Sequence, residues 1–326
     1  MLQCEIPTRL LIFGHILTHR TPHKRGRAAP GHGICMISIA LFAMGFPAAE
    51  VLLQSWGAIS LIAVRIVLGC ALLVPVWILM DGWTRVKTAP WRKGLLIGGI
   101  GFGTGTVILL VTQSMTDAVT AALVAAMMPV AAVALEVMFD RRRLTVSFVL
   151  GVALVLTGGV VAAGASLADS QFGLGALMGI GATFIFAWGS RATVKDLPGM
   201  SNIGQATLTL VGAMIFCQIT LAVFLTFGWW GTEVGVLDAR GLGLLAIFAF
   251  CGMAISQAFW ILGVAKVGVG IASFHLNAAP FYVMLILLAF GGAWDWNQAL
   301  GAAILAIGVV VAQRGDAWIE DVIPAE

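Results

Sequence analysis

Ala58-Ile-Ser-Leu-Ile-Ala-Val-Arg65-Ile-Val-Leu-Gly-Cys-Ala-Leu-Leu-Val-Pro75-Val-Trp-Ile-Leu-Met80 runs directly into Asp81-Gly-Trp-Thr-Arg85-Val-Lys87-Thr-Ala-Pro-Trp-Arg92-Lys93. The first stretch carries one charge and is long enough to cross the hydrocarbon of a bilayer as a helix, which takes about 20 residues. The second crowds four basic residues into a short link. The same alternation recurs along the chain and decides its class. Ten apolar windows follow one another: 33–52, 58–80, 94–113, 118–138, 145–165, 173–190, 204–227, 241–263, 268–290 and 297–313. With a cytoplasmic amino terminus, the inner segments hold Arg9 to Arg27, Arg85 to Lys93, Arg141-Arg142-Arg143, Arg191, Lys195, Lys266 and Arg314. These are 16 of the 18 basic residues; Arg240 lies outside and Arg65 within a span. A parity shift of one helix would erase the bias, so positive-inside logic supports both the count and the orientation.

Composition agrees. A mean hydropathy of +1.02, with 60% hydrophobic and 10% charged residues, excludes a soluble domain, in which about 25% are charged. The net charge of +3 resides in short links facing anionic lipid, which argues against nucleic acid as a partner. The five cysteines are scattered without metal or redox spacing and read as small packing residues. No metal or cofactor is expected. Nothing ends in the Gly-Lys-Ser/Thr of a nucleotide-binding loop, and the acidic residues are too dispersed for a membrane enzyme site. An integral membrane enzyme, a passive channel and a structural membrane protein remain the alternatives to a carrier.

Glycine is used 40 times. Gly94, Gly98, Gly101 and Gly105 follow helical spacing and mark one close-packing face of the third span; a sliding face for a conformational change is the sharper alternative. Residues 1–32 read as a basic cytoplasmic tail, because the apolar run Leu10–Leu17 is too short to span; initiation nearer Met36 is a second reading. Tryptophans Trp56, Trp229, Trp230, Trp294 and Trp296 are expected at the outer interface, and Trp83, Trp91 and Trp318 at the inner one.

The halves 33–165 and 170–315 look alike. Ala126-Met-Met-Pro129-Val and Asn277-Ala-Ala-Pro280-Phe each place a proline near mid-span. Gly151-Val-Ala-Leu-Val-Leu-Thr-Gly158 and Gly301-Ala-Ala-Ile-Leu-Ala-Ile-Gly308 repeat one spacing. An odd number of spans per copy inverts the second copy in the membrane. The expected fold is an all-α membrane protein of ten transmembrane helices arranged as two inverted five-helix repeats, with a short cytoplasmic tail at 316–326.

Together with Met44-Gly45, Leu61-Ile-Ala-Val-Arg65-Ile-Val-Leu-Gly69, Ala121-Ala-Leu-Val-Ala-Ala-Met-Met-Pro129-Val and Leu144-Thr145, these motifs resemble the drug/metabolite transporter superfamily with two EamA-type domains. The resemblance implies alternating-access transport of small metabolites, often export of amino acids or amines. It departs from the family pattern at Met44-Gly45, where Trp-Gly is usual, and at Arg141-Arg142-Arg143, where an acidic residue is usual.

An ionisable group at mid-bilayer costs at least about 2.5–3.5 kcal/mol, so each one needs a reason. Glu50 and Arg65 flank one short connection and can pair, either as an outer gate, as a binder of both ends of a zwitterion, or as a structural ion pair. His275 and Asn277 precede Pro280, which with Pro129 is expected to break helices at a cavity between the halves. Gln257, Trp260 and Tyr282 can complete that lining, or simply pack. Glu50 and His275 are the proton-coupling candidates. Glu136 is expected to neutralise the nearby arginines or to carry a proton, while Gln113 and Asp117 are expected in solvent. The expected cavity is lined by spans one, two, four, eight and nine. With Arg65 the one cation within the spans, the expected cargo is a small neutral or zwitterionic metabolite, with protons as a possible coupling ion and lipid as the surrounding partner.

Overall fold

The structure is a computed structural model that describes residues 28–139, 144–267, 272 and 275–314. Eight helices are long and apolar enough to cross a membrane. They are α1 (Ala28–Leu52), α2 (Ala58–Asp81), α3 (Trp91–Met115), α4 (Ala118–Phe139), α5 (Val146–Ala163), α6 (Ser170–Asp196), α7 (Asn202–Phe227) and α8 (Ala239–Gly263). Two shorter apolar helices follow, α9 (His275–Ala289) and α10 (Trp296–Ala312). No strand occurs among the described residues. The chain is an all-α, multi-pass membrane protein. The tails, Arg141-Arg142-Arg143 and Trp318 lie outside the described residues, as does most of 268–274, the first part of the ninth expected span.

Helix starts follow local chemistry. Asp117, Thr145, Asp169, Ser201 and Asp238 cap α4 to α8, each side chain accepting from a backbone N–H two or three residues on. The α7–α8 connection caps α2: the Gly231 carbonyl accepts from Ile59 N at 2.9 Å and Ser60 N at 3.1 Å. Large apolar side chains such as Leu79, Leu150, Val160 and Phe290 are exposed on the outside of the bundle, where lipid is their solvent.

Lipid gives helices no hydrophobic reason to associate, so contact comes from close approach and from polar groups reaching across. Both are present. The expected face of α3 is used on two neighbours: a Cβ on Gly98 would lie 2.1 Å from the Thr209 carbonyl of α7, and one on Gly101 2.6 Å from the Gly189 Cα of α6. Helices α5 and α10 pack through the repeated glycines. A Cβ on Gly158 would meet the Gly301 carbonyl oxygen at 2.6 Å, and one on Gly308 the Gly151 carbonyl oxygen at 2.8 Å. Between helices, Ser38 Oγ donates to the Ser256 carbonyl (2.8 Å) and Gln218 Nε2 to the Ala63 carbonyl (3.0 Å).

The main helix pairs come in matched sets. Helix α1 packs along α8 as α6 packs along α3; α2 meets α8 as α7 meets α3; α1 meets α9 as α6 meets α4. Helices α5 and α10, α2 and α7, and α4 and α9 pair with each other. The third and eighth helices each contain a π-helical stretch, Gly98–Gly103 and Ile247–Ile255. In each of them one glycine crosses another: Gly101 on Gly189, and Gly252 on Gly45. Trp188-Gly189 in α6 thus occupies the role of Met44-Gly45 in α1.

Several expectations change. Pro129 follows a break in its helix, and both prolines sit in first turns rather than at mid-helix. The fourth helix stops at Ala126 and restarts at Met128, placing Pro129 in a first turn; Thr183 Oγ1 of α6 takes the Val124 carbonyl at the break (3.0 Å). Pro280 likewise sits in the first turn of Ala279–Ala289, after a 3₁₀ turn at His275–Ala278. A first-turn proline gives up an N–H that had no partner to find. Trp56 is not an interfacial anchor but is 4% exposed, within the core around α2, whereas Trp83, Trp229, Trp230 and Trp296 are exposed.

Adjacent glycines test the packing argument. Gly158→Ala forces a Cβ against the backbone of α10, whereas nothing lies within 4 Å of a Cβ on Gly159. We expect Gly158→Ala to cost about 1–3 kcal/mol. Gly159→Ala should be neutral or stabilising, by up to about 1 kcal/mol of helix propensity. Thermal unfolding of the two variants in detergent checks this; equal midpoints would remove the close α5–α10 contact.

Candidate substrate site

Where α1 and α8 cross, neither backbone carries a side chain, and Arg65 of α2 reaches the crossing. Its Nη2 donates to the Gly252 carbonyl at 2.9 Å, and its guanidinium carbon sits 4.0 Å from the centre of the Phe248 ring. Phe248 is 2% exposed and belongs to the π-helical stretch of α8, a distortion frequent at functional sites. The Arg65 Nε is buried without a hydrogen-bond partner.

Arg65 and Phe248 line a narrow cavity with Phe42, Gly45 and Phe46 of α1 and Thr106, Leu109, Leu110 and Gln113 of α3. Its volume is about 30 Å³, room for little more than a water, which needs roughly 10–15 Å³. The walls are aromatic and aliphatic, with one cation, one hydroxyl and one amide. The cavity lies among α1, α2, α3 and α8; α3 takes the place expected for α4 and α9.

Glu50 and Arg65 do not pair. Glu50 Oε2 accepts from Ala118 N at 2.8 Å, at the positive end of α4, beside the Asp117 cap. Among the described residues no ion pair involves Arg65. Gln113 is not solvated but 5% exposed, and its Nε2 donates to the Phe46 carbonyl at 2.7 Å. Asp117 caps α4 and lies 3.4 Å from Gln298 Nε2 of α10.

The other expected site residues gather elsewhere. His275 Nε2 is 3.3 Å from His32 Nδ1 of α1, and His275 Nδ1 is 3.2 Å from the Ala272 carbonyl. A carbonyl only accepts, so Nδ1 of His275 carries the hydrogen and Nε2 faces the His32 N–H. Trp260 packs on Cys35, Val267 and Ala272 nearby. Asn277 is 8% exposed with its Oδ1 unpartnered, Tyr282 packs against the largest core cluster, and Gln257 is half-buried in α8. None of these five lines the Arg65 cavity, nor do Pro129 and Pro280. Glu136 lies instead in a groove of about 430 Å³ between α4 and α6, with Arg191 and Lys195. Phe42, Phe46 and Phe248 escaped the sequence reading because an apolar residue in an apolar span carries no mark of what it faces, and Thr106 because a lone threonine hydroxyl is satisfied within its own helix as readily as in a site.

Residues 29–163 match the family described as the EamA-like transporter family. That stretch covers the first five of the long helices, α1 to α5, so the first part of the chain is similar to this family. A transporter of Bacillus subtilis (strain 168), the uncharacterized transporter YyaM, is 24% identical over 259 residues, 76% of this chain and 82% of that protein. A protein of known crystal structure shares the fold, with a TM-score of 0.62 and 19% identity over 88% of this chain and 98% of its own. These likenesses support a membrane transporter and point to a transporter rather than an enzyme. The fold of this transporter is what its aligned structure speaks to; its site is its own.

The two uses of a carboxylate at position 50 can be separated. Glu50→Gln keeps an oxygen for Ala118 N, so we expect a folded protein with an unfolding midpoint near wild type. Glu50→Ala loses that acceptor and should cost about 1 kcal/mol, as helix-capping losses do. Equal midpoints for the two variants would show that the contact to α4 contributes nothing.

Proposed function

We propose that this transporter is a secondary carrier of a small neutral or zwitterionic metabolite, an amino acid or an amine, which it exports across the inner membrane by alternating access. Both termini are cytoplasmic in this reading, and the two shorter helices complete ten spans as two inverted five-helix repeats. The observation that carries it is the Arg65 cavity: a polar site enclosed among helices, too small in this conformation for any metabolite, and therefore useful only if its walls part.

The matched helix pairs support inverted halves, since each pair has its counterpart five helices along. The glycine crossings support motion, because backbones in contact without interlocking side chains can pivot at little cost. The basic residues at the ends of α2, α3, α6 and α8 support the orientation. Protons are the proposed coupling ion, with Glu50 and His275 as the groups that would carry them. Both sit where two helices meet, Glu50 on α4 and His275 on His32 of α1. A protonation change there would alter contacts at either end of α1.

Counterflow into proteoliposomes preloaded with a pooled metabolite extract, read by mass spectrometry, tests the carrier. We expect saturable exchange of one solute class, several-fold lower in Glu50→Gln and in His275→Ala with both variants inserted and folded. Non-saturating flux would identify a channel, and no movement even under an imposed pH gradient would refute transport. Full activity in both variants would remove Glu50 and His275 from the mechanism.

A further inference from the structure

Resting on the carrier reading, we propose that the transported solute bears a single carboxylate and that Arg65 is the group that holds it. Arg65 is the one cation lining the cavity, and no acid lines it. Among the described residues its polar and ring contacts are a neutral carbonyl and an aromatic face. The nearest expected counter-ion, Glu50, is spent on α4. Among the described residues no acid faces this guanidinium, and its buried Nε has no acceptor. The missing anion comes with the cargo.

The geometry also says which anion. A guanidinium offers parallel N–H groups that match the two oxygens of a carboxylate. Because Nη2 is tied to the Gly252 carbonyl, Nε is left as a donor without an acceptor. With one cation present, a dicarboxylate or a phosphate would bring negative charge that no group meets. A plain amine would set like charge against Arg65 in a water-poor site, where repulsion is strong. An ammonium beside the carboxylate is tolerable: the Gln113 amide, whose Nε2 is engaged with Phe46, keeps its oxygen free to accept. The rings of Phe42, Phe46 and Phe248 offer negative faces to a cation and apolar walls to the rest of the solute. The class is therefore an organic monocarboxylate with an apolar body, with or without an α-amino group, which narrows the cargo of the carrier reading from amino acids and amines to acids and extends it to anions that lack the amine.

The test uses the full chain in detergent and two solute series that share a carbon skeleton. The first is leucine, 4-methylpentanoate, 4-methylpentanamide and 3-methylbutylamine. The second is phenylalanine, 3-phenylpropanoate, its amide and 2-phenylethylamine. Thermal unfolding is followed against solute concentration. We expect the carboxylates of at least one series to raise the midpoint saturably, with amide and amine needing at least tenfold higher concentration. Arg65→Gln should abolish the preference and Arg65→Lys should keep part of it, charge remaining but the fork lost. Amides or amines acting as well as acids, no acid acting at all, or a preference surviving in Arg65→Gln would each overturn the proposal. If Arg65→Gln does not fold, the acid-to-amide comparison on the wild-type chain still decides. If Arg65 only braces α2 against α8, Arg65→Gln lowers stability while acid and amide behave alike on the wild-type chain. Counterflow separates the two readings: exchange without a preference for carboxylates leaves the carrier and sinks the anchor, whereas absent exchange sinks the carrier.

Discussion

The approach of Gly45 to Gly252 is the contact on which the candidate site depends. In hydrocarbon every backbone polar group must find its partner within the protein, so helical carbonyls are normally committed and shielded by neighbouring side chains. Here two backbones meet with no Cβ between them; a Cβ on Gly252 would lie 2.8 Å from the Gly45 Cα. That absence leaves the Gly252 carbonyl open to a third helix, and Arg65 takes it. The same crossing positions Phe248 under the guanidinium, with Phe46 among the residues that line the cavity. Fill either glycine and the helices part, the carbonyl moves away, and the arginine loses its fixed geometry.

The energies show why such an arginine is tolerated and why it remains reactive toward an anion. Burying it costs at least about 2.5–3.5 kcal/mol on insertion scales. A hydrogen bond from a charged donor returns about 1.5–3 kcal/mol, and a desolvated cation–π contact about 0.5–2 kcal/mol. The two sides nearly balance without any counter-ion. The empty site is therefore affordable to the fold, yet neither contact neutralises the charge. An acid in the wall would have stabilised the helix bundle more strongly and left the site with nothing to attract.

What could be read from the sequence was whatever depends on one helix at a time. Arg85 to Lys93 and Lys195 mark helix ends because loop charge acts during insertion, before tertiary contacts exist. Asp117, Ser201 and Asp238 announce helix starts by short-range capping. Gly94 to Gly105 and Gly151, Gly158, Gly301 and Gly308 announce contact faces by spacing alone. What was not legible depends on which helices cross. Glu50 and Arg65 flank one short connection, and proximity along the chain argued for a pair; in three dimensions each is nearer to a backbone group of another helix. Gln113 stands in the last turn of its span, where solvent was the natural expectation, but α1 covers it. Pro280 read as a break within a helix because the apolar run 268–290 is continuous; it stands in the first turn of Ala279–Ala289, just after a 3₁₀ turn.

The matched crossings sharpen where selectivity must reside. Gly101 on Gly189 repeats the backbone approach of Gly252 on Gly45, and aromatic rings flank both, Phe102 with Phe186 at the first and Phe248 at the second. Helix α7, which stands to α3 as α2 stands to α8, has no charged residue anywhere in Asn202–Phe227. Two similar scaffolds therefore meet one cation between them. Packing glycines and π-helical stretches recur at the two crossings. The charge does not recur, because a second arginine facing the first would repel it in a medium that screens poorly. A solute held as proposed would be asymmetric for the same reason: one end would answer Arg65, and the remainder would meet rings, a hydroxyl and an amide.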